Sequence, residues 1–285
     1  MAQIIDGKRV SSQMRQDIRD GALCCFAKTG IRPGLAVILV GEDPASQIYV
    51  RNKKKACEEV GFFSREILLP EDVTEERLLS EIDRLNALDT IHGILVQLPV
   101  PPHLNPKRLI ERIAPHKDVD AFSYESVGRL VTGNPLFLPC TPAGILALLD
   151  AYAIPLAGKR AVVIGRSNIV GKPMAHLLLS RDATVTVCHS KTEHLQEICR
   201  TADVLVSAVG KAGFVRGEMI KPDAVVIDVG MNRAPDGHLC GDVLFDEAKE
   251  KASYLTPVPG GVGPMTITML LQNTLTAARL ASQKG

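Results

Sequence analysis

The chain has 285 residues, with 33 Lys plus Arg against 32 Asp plus Glu and a net charge of +1. So even a balance argues against a nucleic-acid partner or an anionic membrane surface and points to a small molecule. The opening MAQIIDGKRV lacks an apolar signal core and no apolar run reaches the length of a bilayer span, so the expectation is a soluble cytoplasmic protein, long enough for two domains.

Short apolar runs alternate with helical segments from residue 34 onward: GLAVILVG (34–41), a helix around Tyr49, REILL (65–69), a helix opened by Thr74, Glu75 and Glu76, and IHGILVQLP (91–99). Near-continuous Val/Ile/Leu runs bounded by Gly and Pro, with helices between them, predict a parallel sheet covered on both faces. The stretch from Pro99 to Pro142, with PVPPHLNP and GNPLFLPCTP, reads as loop-rich, and loops at strand ends are where sites tend to sit. From Lys159 the alternation restarts with RAVVIG (160–165), a helix over about 171–180, TVTVCHS (184–190), ADVLVSAVG (202–210) and AVVIDVG (224–230), which is βαβ repetition on the scale of a nucleotide-binding domain. A last apolar-periodic helix is expected over 265–282, packing back on the first domain. The predicted fold class is therefore α/β: two α/β domains with a cleft between them, the first over 1–140 with the helix of 265–285, the second, over 141–264, a Rossmann-type dinucleotide-binding domain.

The seven cysteines form an odd set without a C-x-x-C pair, and the seven histidines show no H-E-x-x-H spacing, so neither a disulfide framework nor a metal is expected.

QIYVRNKKKACEEVG (47–61) packs Arg51, Lys53, Lys54 and Lys55 into five positions. At about 100° per residue, Ser46, Tyr49, Lys53, Ala56 and Val60 form one stripe, whereas Arg51, Lys54 and Lys55 point away, the last two at four-residue spacing from Glu58 and Glu59. Lys53 alone shares the inward face with a tyrosine. That pattern fits either a lysine whose stem packs while its ammonium reaches water, or one set apart for chemistry.

The strand at 160–165 ends in GRSNIVGKPM (165–174). Gly165 permits a tight turn towards a phosphate, and a helix beginning near Gly171 offers free N–H groups and its positive dipole end, although Ser167 breaks the G-x-G-x-x-G pattern and a merely structural turn stays open. The next strand ends in Cys188, His189, Ser190, Lys191 and Thr192. It carries no carboxylate to grip the ribose hydroxyls of NAD; Ser190 and nearby cations, with Arg166 in the turn, suit the 2′-phosphate of NADP.

PASQIYVRNKKKACEEVG (44–61), GILVQLPVP (93–101), KDVDAF (117–122), PCTPAG (139–144), GRSNIVGKPM (165–174), DVGMN (228–232) and TPVPGGVGPMT (256–266) together resemble the bifunctional methylenetetrahydrofolate dehydrogenase/methenyltetrahydrofolate cyclohydrolases, and the resemblance runs over essentially the whole chain. It implies an NADP-dependent oxidation of methylenetetrahydrofolate, hydrolysis of the methenyl cation to formyltetrahydrofolate, tetrahydrofolate derivatives as substrates, and a homodimer. Lys53 matches the family's catalytic lysine, Gln97 the glutamine that holds its amine, Tyr49 the aromatic residue that stacks on folate, and Asp120 the carboxylate that grips the pterin. Val96 and Leu98 flank Gln97 on the folate side, and Pro259, Gly260, Gly261 and Thr266 belong to the loop where folate and nicotinamide meet. Gly165, Arg166, Ser167, Ser190 and Met231 fall at cofactor positions, Met231 through its main chain. The family pattern has glycine where Ala121 stands, and alanine adopts positive φ only at a cost, so the geometry of this loop, and with it the hold of Asp120 on the pterin, is what the resemblance carries over least. A shikimate dehydrogenase-like NADP oxidoreductase and a non-catalytic NADP sensor are the rival readings.

Overall fold

The structure, a computed structural model, describes residues 1–283 apart from Pro235. In chain order its main elements are β1 (Gln3–Ile4), α1 (Gly7–Thr29), β2 (Gly34–Val40), α2 (Pro44–Glu59), β3 (Phe63–Leu69), α3 (Glu75–Asn86), β4 (Gly93–Val96), α4 (Pro106–Arg112), α5 (Tyr124–Val131), α6 (Cys140–Ala151), β5 (Arg160–Ile164), α7 (Gly171–Leu179), β6 (Thr184–Cys188), α8 (Leu195–Cys199), β7 (Val204–Ser207), β8 (Val225–Asp228), β9 (Asn232–Arg233), β10 (Leu239–Cys240), α9 (Phe245–Lys251), β11 (Tyr254–Leu255) and α10 (Val262–Ala281). The chain divides into two compact units, Gln13–Cys140 with Ile267–Gly285, and Met1–Ser12 with Thr141–Thr266.

The first of these units is built on a parallel sheet of order β3-β2-β4. All seven residues of β2, GLAVILV, are buried, as a strand covered on both faces requires. Gly34 opens β2 because nothing larger fits: a Cβ there would lie 2.0 Å from Thr90 O. The helices start where their caps dictate. Asp43 accepts from Ser46 N at 2.7 Å with Pro44 in the first turn of α2, and Thr74 accepts from Arg77 N at 3.2 Å to open α3. Leu78, Ile82 and Leu85 of α3 and Ile18, Ala22 and Cys25 of α1 bury at the three- and four-residue spacing of a helix face. From α10, Asn273 Nδ2 donates to Val119 O and Leu138 O, both at 2.8 Å.

The other unit carries a parallel six-stranded sheet of order β1-β11-β8-β7-β5-β6, with β9 and β10 as a separate antiparallel pair. In β5, β7 and β8 every residue except Arg160 is buried.

Several features depart from the sequence reading. Residues 1–12 group with the second sheet, because β1 pairs in parallel with β11 and Tyr152 Oη ties Asp6 N (2.8 Å) to Ile4 O (3.2 Å). The long α1 has no counterpart among the expected elements, and the proline-rich stretch holds two short helices, α4 capped by Asn105 and α5 capped by Ser123. The last helix begins at Val262, three residues before the expected start, so Pro264 sits inside its first turn, where no intrahelical N–H is lost. The seven cysteines are free thiols, five of them buried.

Candidate active site

On α2 the residues sort as the helix wheel requires: Ser46, Val50, Ala56, Cys57 and Val60 are buried, Lys53 is half-buried, and Arg51, Lys54 and Lys55 are exposed. The outward charges do not form the expected pairs along the helix. Lys54 reaches Glu66 on β3 (3.6 Å), while Glu59 binds Arg15 on α1 (2.7 Å), because strand and helix neighbours offer carboxylate and guanidinium at shorter reach. Tyr49, one turn before Lys53, is 36% exposed, leaving an aromatic surface beside the lysine.

Gln97 follows directly on β4, and its main-chain N–H continues the sheet to Ile38 O at 2.8 Å. This places its side chain against α2, where Lys53 Nζ donates to Gln97 Oε1 at 2.8 Å and Gln97 Nε2 donates to Leu98 O at 2.7 Å. The glutamine amide is thus oriented at one end by its own chain and presents its oxygen to the lysine. Val96 is buried and Leu98 half-buried on either side. Burial holds the Lys53 amine below the usual lysine range, and the nearby Asp120 carboxylate opposes that shift. Burial also pushes the Asp120 carboxyl up to about 6, with the Lys53 cation pulling the other way. Asp120 borders a water-sized cavity of about 10 Å³ walled by Val96, Leu98 and Phe122. A lysine shifted down and a carboxyl shifted up, near enough to feel each other, both gain or lose a proton closer to neutrality than free side chains do, which is the condition for acid–base chemistry.

The loop that carries Asp120 is held by residues to which no motif assigns a role. Buried Lys117 donates from Nζ to Leu85 O (3.2 Å), Asn86 O (2.8 Å) and Leu88 O (2.8 Å), capping the end of α3. Buried Asp118 accepts from Ser126 Oγ (2.7 Å), Ser123 N (3.0 Å) and Phe122 N (3.3 Å). Asn273 fixes Val119 O, and the Cys140 thiol donates to the same carbonyl at 3.4 Å. Ala121 adopts a left-handed φ of 59°, the region a glycine enters without steric cost. Its methyl is buried in the core formed with Val119, Phe137 and Cys140. The backbone strain costs roughly 1–2 kcal/mol, and burying the methyl returns about 0.8 kcal/mol.

In the other unit, Ile164 at the end of β5 pairs with Cys188 at the end of β6, so the turn beginning at Gly165 and the segment His189–Ser190 leave the same end of the sheet. Gly165 has φ 118°, and a Cβ there would lie 2.3 Å from Ala208 O; a Cβ on Gly171 would lie 2.2 Å from Gly165 O. A turn that tight lets main chain approach a phosphate, and the exposed Arg166 and Ser190 stand beside it, with no carboxylate among residues 189–192 that leave β6. These residues fit a dinucleotide bearing a 2′-phosphate. One detail differs from the sequence reading: Ser167 Oγ accepts from Val170 N (3.2 Å) and Gly171 N (3.3 Å), so two N–H groups expected to face a phosphate are occupied within the turn. Met231 is 46% exposed and follows Gly230, whose N–H is held by Asp228. In the segment before α10, Gly260 has φ 106° and Gly261 N donates to Pro257 O at 2.8 Å, with Pro259 preceding them; Thr266 lies not in this loop but on α10, where its hydroxyl bonds that of Thr141 at 3.0 Å. Among the described residues no group of three or more His, Cys, Asp and Glu is placed to hold a metal, and no helix is long and apolar enough to cross a membrane.

Residues 5–120 match the model of the tetrahydrofolate dehydrogenase/cyclohydrolase catalytic domain, and residues 139–282 match that of the NAD(P)-binding domain of the same family. The chain is 58% identical to the bifunctional protein FolD of Polynucleobacter asymbioticus over 99% of both chains. Among solved structures it resembles the bifunctional methylenetetrahydrofolate dehydrogenase/cyclohydrolase of Campylobacter jejuni (49% identity, TM-score 0.96, 98% of this chain and 99% of the other). It also resembles the Trypanosoma brucei enzyme complexed with NADP and an inhibitor (43% identity, TM-score 0.93, 98% of both).

Proposed function

The chain belongs to the tetrahydrofolate dehydrogenase/cyclohydrolase family, and on that premise we propose how its residues share the work of two reactions. The protein is a bifunctional enzyme: it oxidises 5,10-methylenetetrahydrofolate to 5,10-methenyltetrahydrofolate with NADP, then hydrolyses the methenyl cation to 10-formyltetrahydrofolate. Neither rival reading is favoured, since relatives at 49–58% identity over nearly the full length share both domains.

In the first reaction the one-carbon bridge gives up a hydride, for which NADP, when bound, would supply the acceptor. Arg166 and Ser190 would hold the 2′-phosphate, Gly165 and Ser167 would shape the turn under the diphosphate, and the main chain at Met231 would face the nicotinamide. Pro259, Gly260, Gly261 and Thr266 line the folate side. Asp120 grips the pterin, its two oxygens accepting from an amino group and a ring N–H together. Tyr49 lies against the planar cation, which an aromatic face favours. In the second reaction water adds to the methenyl carbon and loses a proton; the Lys53 amine takes that proton and returns one as the ring nitrogen leaves. Gln97 keeps the amine on line, and Val96 and Leu98 wall off the site.

What supports this assignment above all is the 2.8 Å bond from Lys53 to Gln97 beside a carboxyl pushed up to about 6. The test is spectrophotometric. Purified protein given methylenetetrahydrofolate and NADP forms the absorbing methenyl compound, and given the methenyl compound alone bleaches it faster than buffer does. Absence of either change would refute the corresponding half. A cytoplasmic location and a homodimer complete the proposal. The dimer is supported by β6, which closes one end of its sheet with Val187 38% exposed, an edge that a second copy would cover. Sedimentation at twice the chain mass supports it, and sedimentation at the chain mass opposes it.

A further inference from the structure

The dinucleotide-binding unit contains two buried carboxylates, Asp228 and Asp242, to which neither reaction assigns a role. β5, β7 and β8 are neighbours in register, with Ile164 opposite Ser207 and Ser207 opposite Asp228, so the chain leaving β7 and the chain leaving β8 emerge beside the Gly165 turn. In a parallel sheet of this kind the ligand lies outside the carboxyl ends of the strands. In the segments there, 208–211 and 229–232, the N–H groups of Ala208 and Val229 still bond Ile164 O (2.8 Å) and Ser207 O (2.9 Å), but beyond them residues 209–211 and 230–231 need another partner for their main-chain N–H groups.

Asp242 supplies it. Its Oδ2 accepts from Val209 N (2.7 Å), Gly210 N (3.2 Å) and Ser207 Oγ (3.3 Å), and its Oδ1 from Lys211 N (2.9 Å) and Asn232 Nδ2 (3.0 Å). One carboxylate therefore holds three consecutive residues of the first segment and one side chain of the second. Asp242 is itself pinned: its N–H donates to Asp228 Oδ1 at 2.9 Å, which also accepts from Gly230 N at 2.9 Å, and Val243 N donates to Asp228 Oδ2 at 2.9 Å. The approach leaves no room for side chains. A Cβ on Gly241 would lie 1.8 Å from Asp228 Oδ2, and one on Gly230 would lie 2.3 Å from Asp242 Oδ1. Hydrogen bonds from main-chain N–H groups to a carboxylate are stronger than those to a neutral acceptor, and here three of them hold residues 209–211, which belong to no strand. Because Gly165 packs against Ala208 O, a shift of segment 208–211 is felt at the turn under the diphosphate.

We propose that Asp242, seated on Asp228, is a positioning residue for the redox half-reaction: it fixes the two segments that border the nicotinamide end of NADP without touching the reacting atoms. This rests on the assignment of Met231 and the Gly165 turn to the cofactor. Hydrolysis of the methenyl cation consumes no NADP, so the enzyme carries its own control.

The test uses Asp242→Asn in the full chain. Whichever way the amide is turned, one oxygen that accepts from two or more donors becomes an NH₂ facing them, and one segment is released. Four quantities are measured: the NADP dissociation constant by titration calorimetry, dehydrogenase kcat and KM for NADP, the rate of methenyl hydrolysis without NADP, and the melting temperature. The expected outcome is an NADP dissociation constant and a dehydrogenase kcat/KM each worse by tenfold or more, with hydrolysis within threefold of the parent at a temperature where the variant is folded, even though melting falls because buried donors lose their acceptor. Parental NADP affinity in the variant overturns the proposal, as does a parallel fall of both activities together with melting, which marks a purely structural role. Asn232→Ala, which removes one of the five donors, gives the same split at smaller amplitude; should Asp242→Asn not fold, parental NADP affinity in Asn232→Ala overturns the proposal. If the parent itself fails to bind NADP, the cofactor assignment falls instead.

Discussion

Gln97→Leu isolates the contact that orients the lysine. Leucine nearly matches the glutamine in volume, and the main-chain bond from residue 97 to Ile38 O is untouched, so the strand end is preserved. What disappears is the acceptor 2.8 Å from Lys53 Nζ and the brace from Nε2 to Leu98 O. A hydrogen bond to a charged group is worth about 1.5–3 kcal/mol, and at 1.4 kcal/mol per decade this predicts a fall in methenyl hydrolysis of roughly tenfold to a hundredfold. The bond favours the ammonium over the free amine, so its loss also lowers the Lys53 pKa further, and the rising limb of the pH–rate profile moves to lower pH. The assay is the bleaching of methenyltetrahydrofolate followed over a pH series, with the dehydrogenase rate measured alongside and expected to fall less. Parental hydrolysis with an unshifted profile would refute the role of the bond.

Asp120→Asn bears on the pterin. Burial pushes the carboxyl up to about 6, so below that pH it takes up a proton, one of its two accepting oxygens becomes a donor, the paired grip on the pterin is lost and the parental KM for folate rises. The variant binds folate weakly at every pH, and a variant profile that still bends near pH 6 contradicts the assignment. Arg166→Ala raises the KM for NADP by tenfold or more and that for NAD much less, since a charge-assisted contact of about 1.5–3 kcal/mol is lost only with the phosphate; equal effects on both cofactors contradict it. Ala121→Gly relieves about 1–2 kcal/mol of left-handed strain, loses about 0.8 kcal/mol of methyl burial and adds about 0.4–1 kcal/mol of chain entropy to the unfolded state. These nearly cancel, so melting shifts by less than about 3 °C, and a large loss of stability would show that the loop needs the methyl.

Residues whose roles follow from local pattern are legible in the sequence alone. The runs that form β2, β4, β5, β7 and β8 are almost uninterrupted Val, Ile and Leu, as strands covered on both faces must be. Helix geometry by itself separates Lys53 from Lys54 and Lys55. Three kinds of feature leave no such trace. β1 has two residues and exists only because β11, some 250 residues later, offers an edge. The braces of the Asp120 loop act across long separations, 154 residues for Asn273 and Val119, and an isolated Asn or Lys in a sequence carries no mark of its partner. Ala121 and Ser167 run against the simple reading of residue type. Burial of a methyl offsets backbone strain at the first, and a hydroxyl turned back on its own chain takes up donors at the second.

The most direct test of Lys53 as the proton carrier is Lys53→Met, with both initial rates measured on the purified enzyme and melting curves to confirm folding. Methionine keeps most of the stem and removes the amine. General acid–base help of about two to four powers of ten should vanish from methenyl hydrolysis. Hydride transfer, which moves no proton at its central step, should fall less, and Lys54→Met, on the exposed face, should leave both rates within a few fold of the parent. A folded Lys53→Met enzyme that hydrolyses methenyltetrahydrofolate at the parental rate would contradict the account.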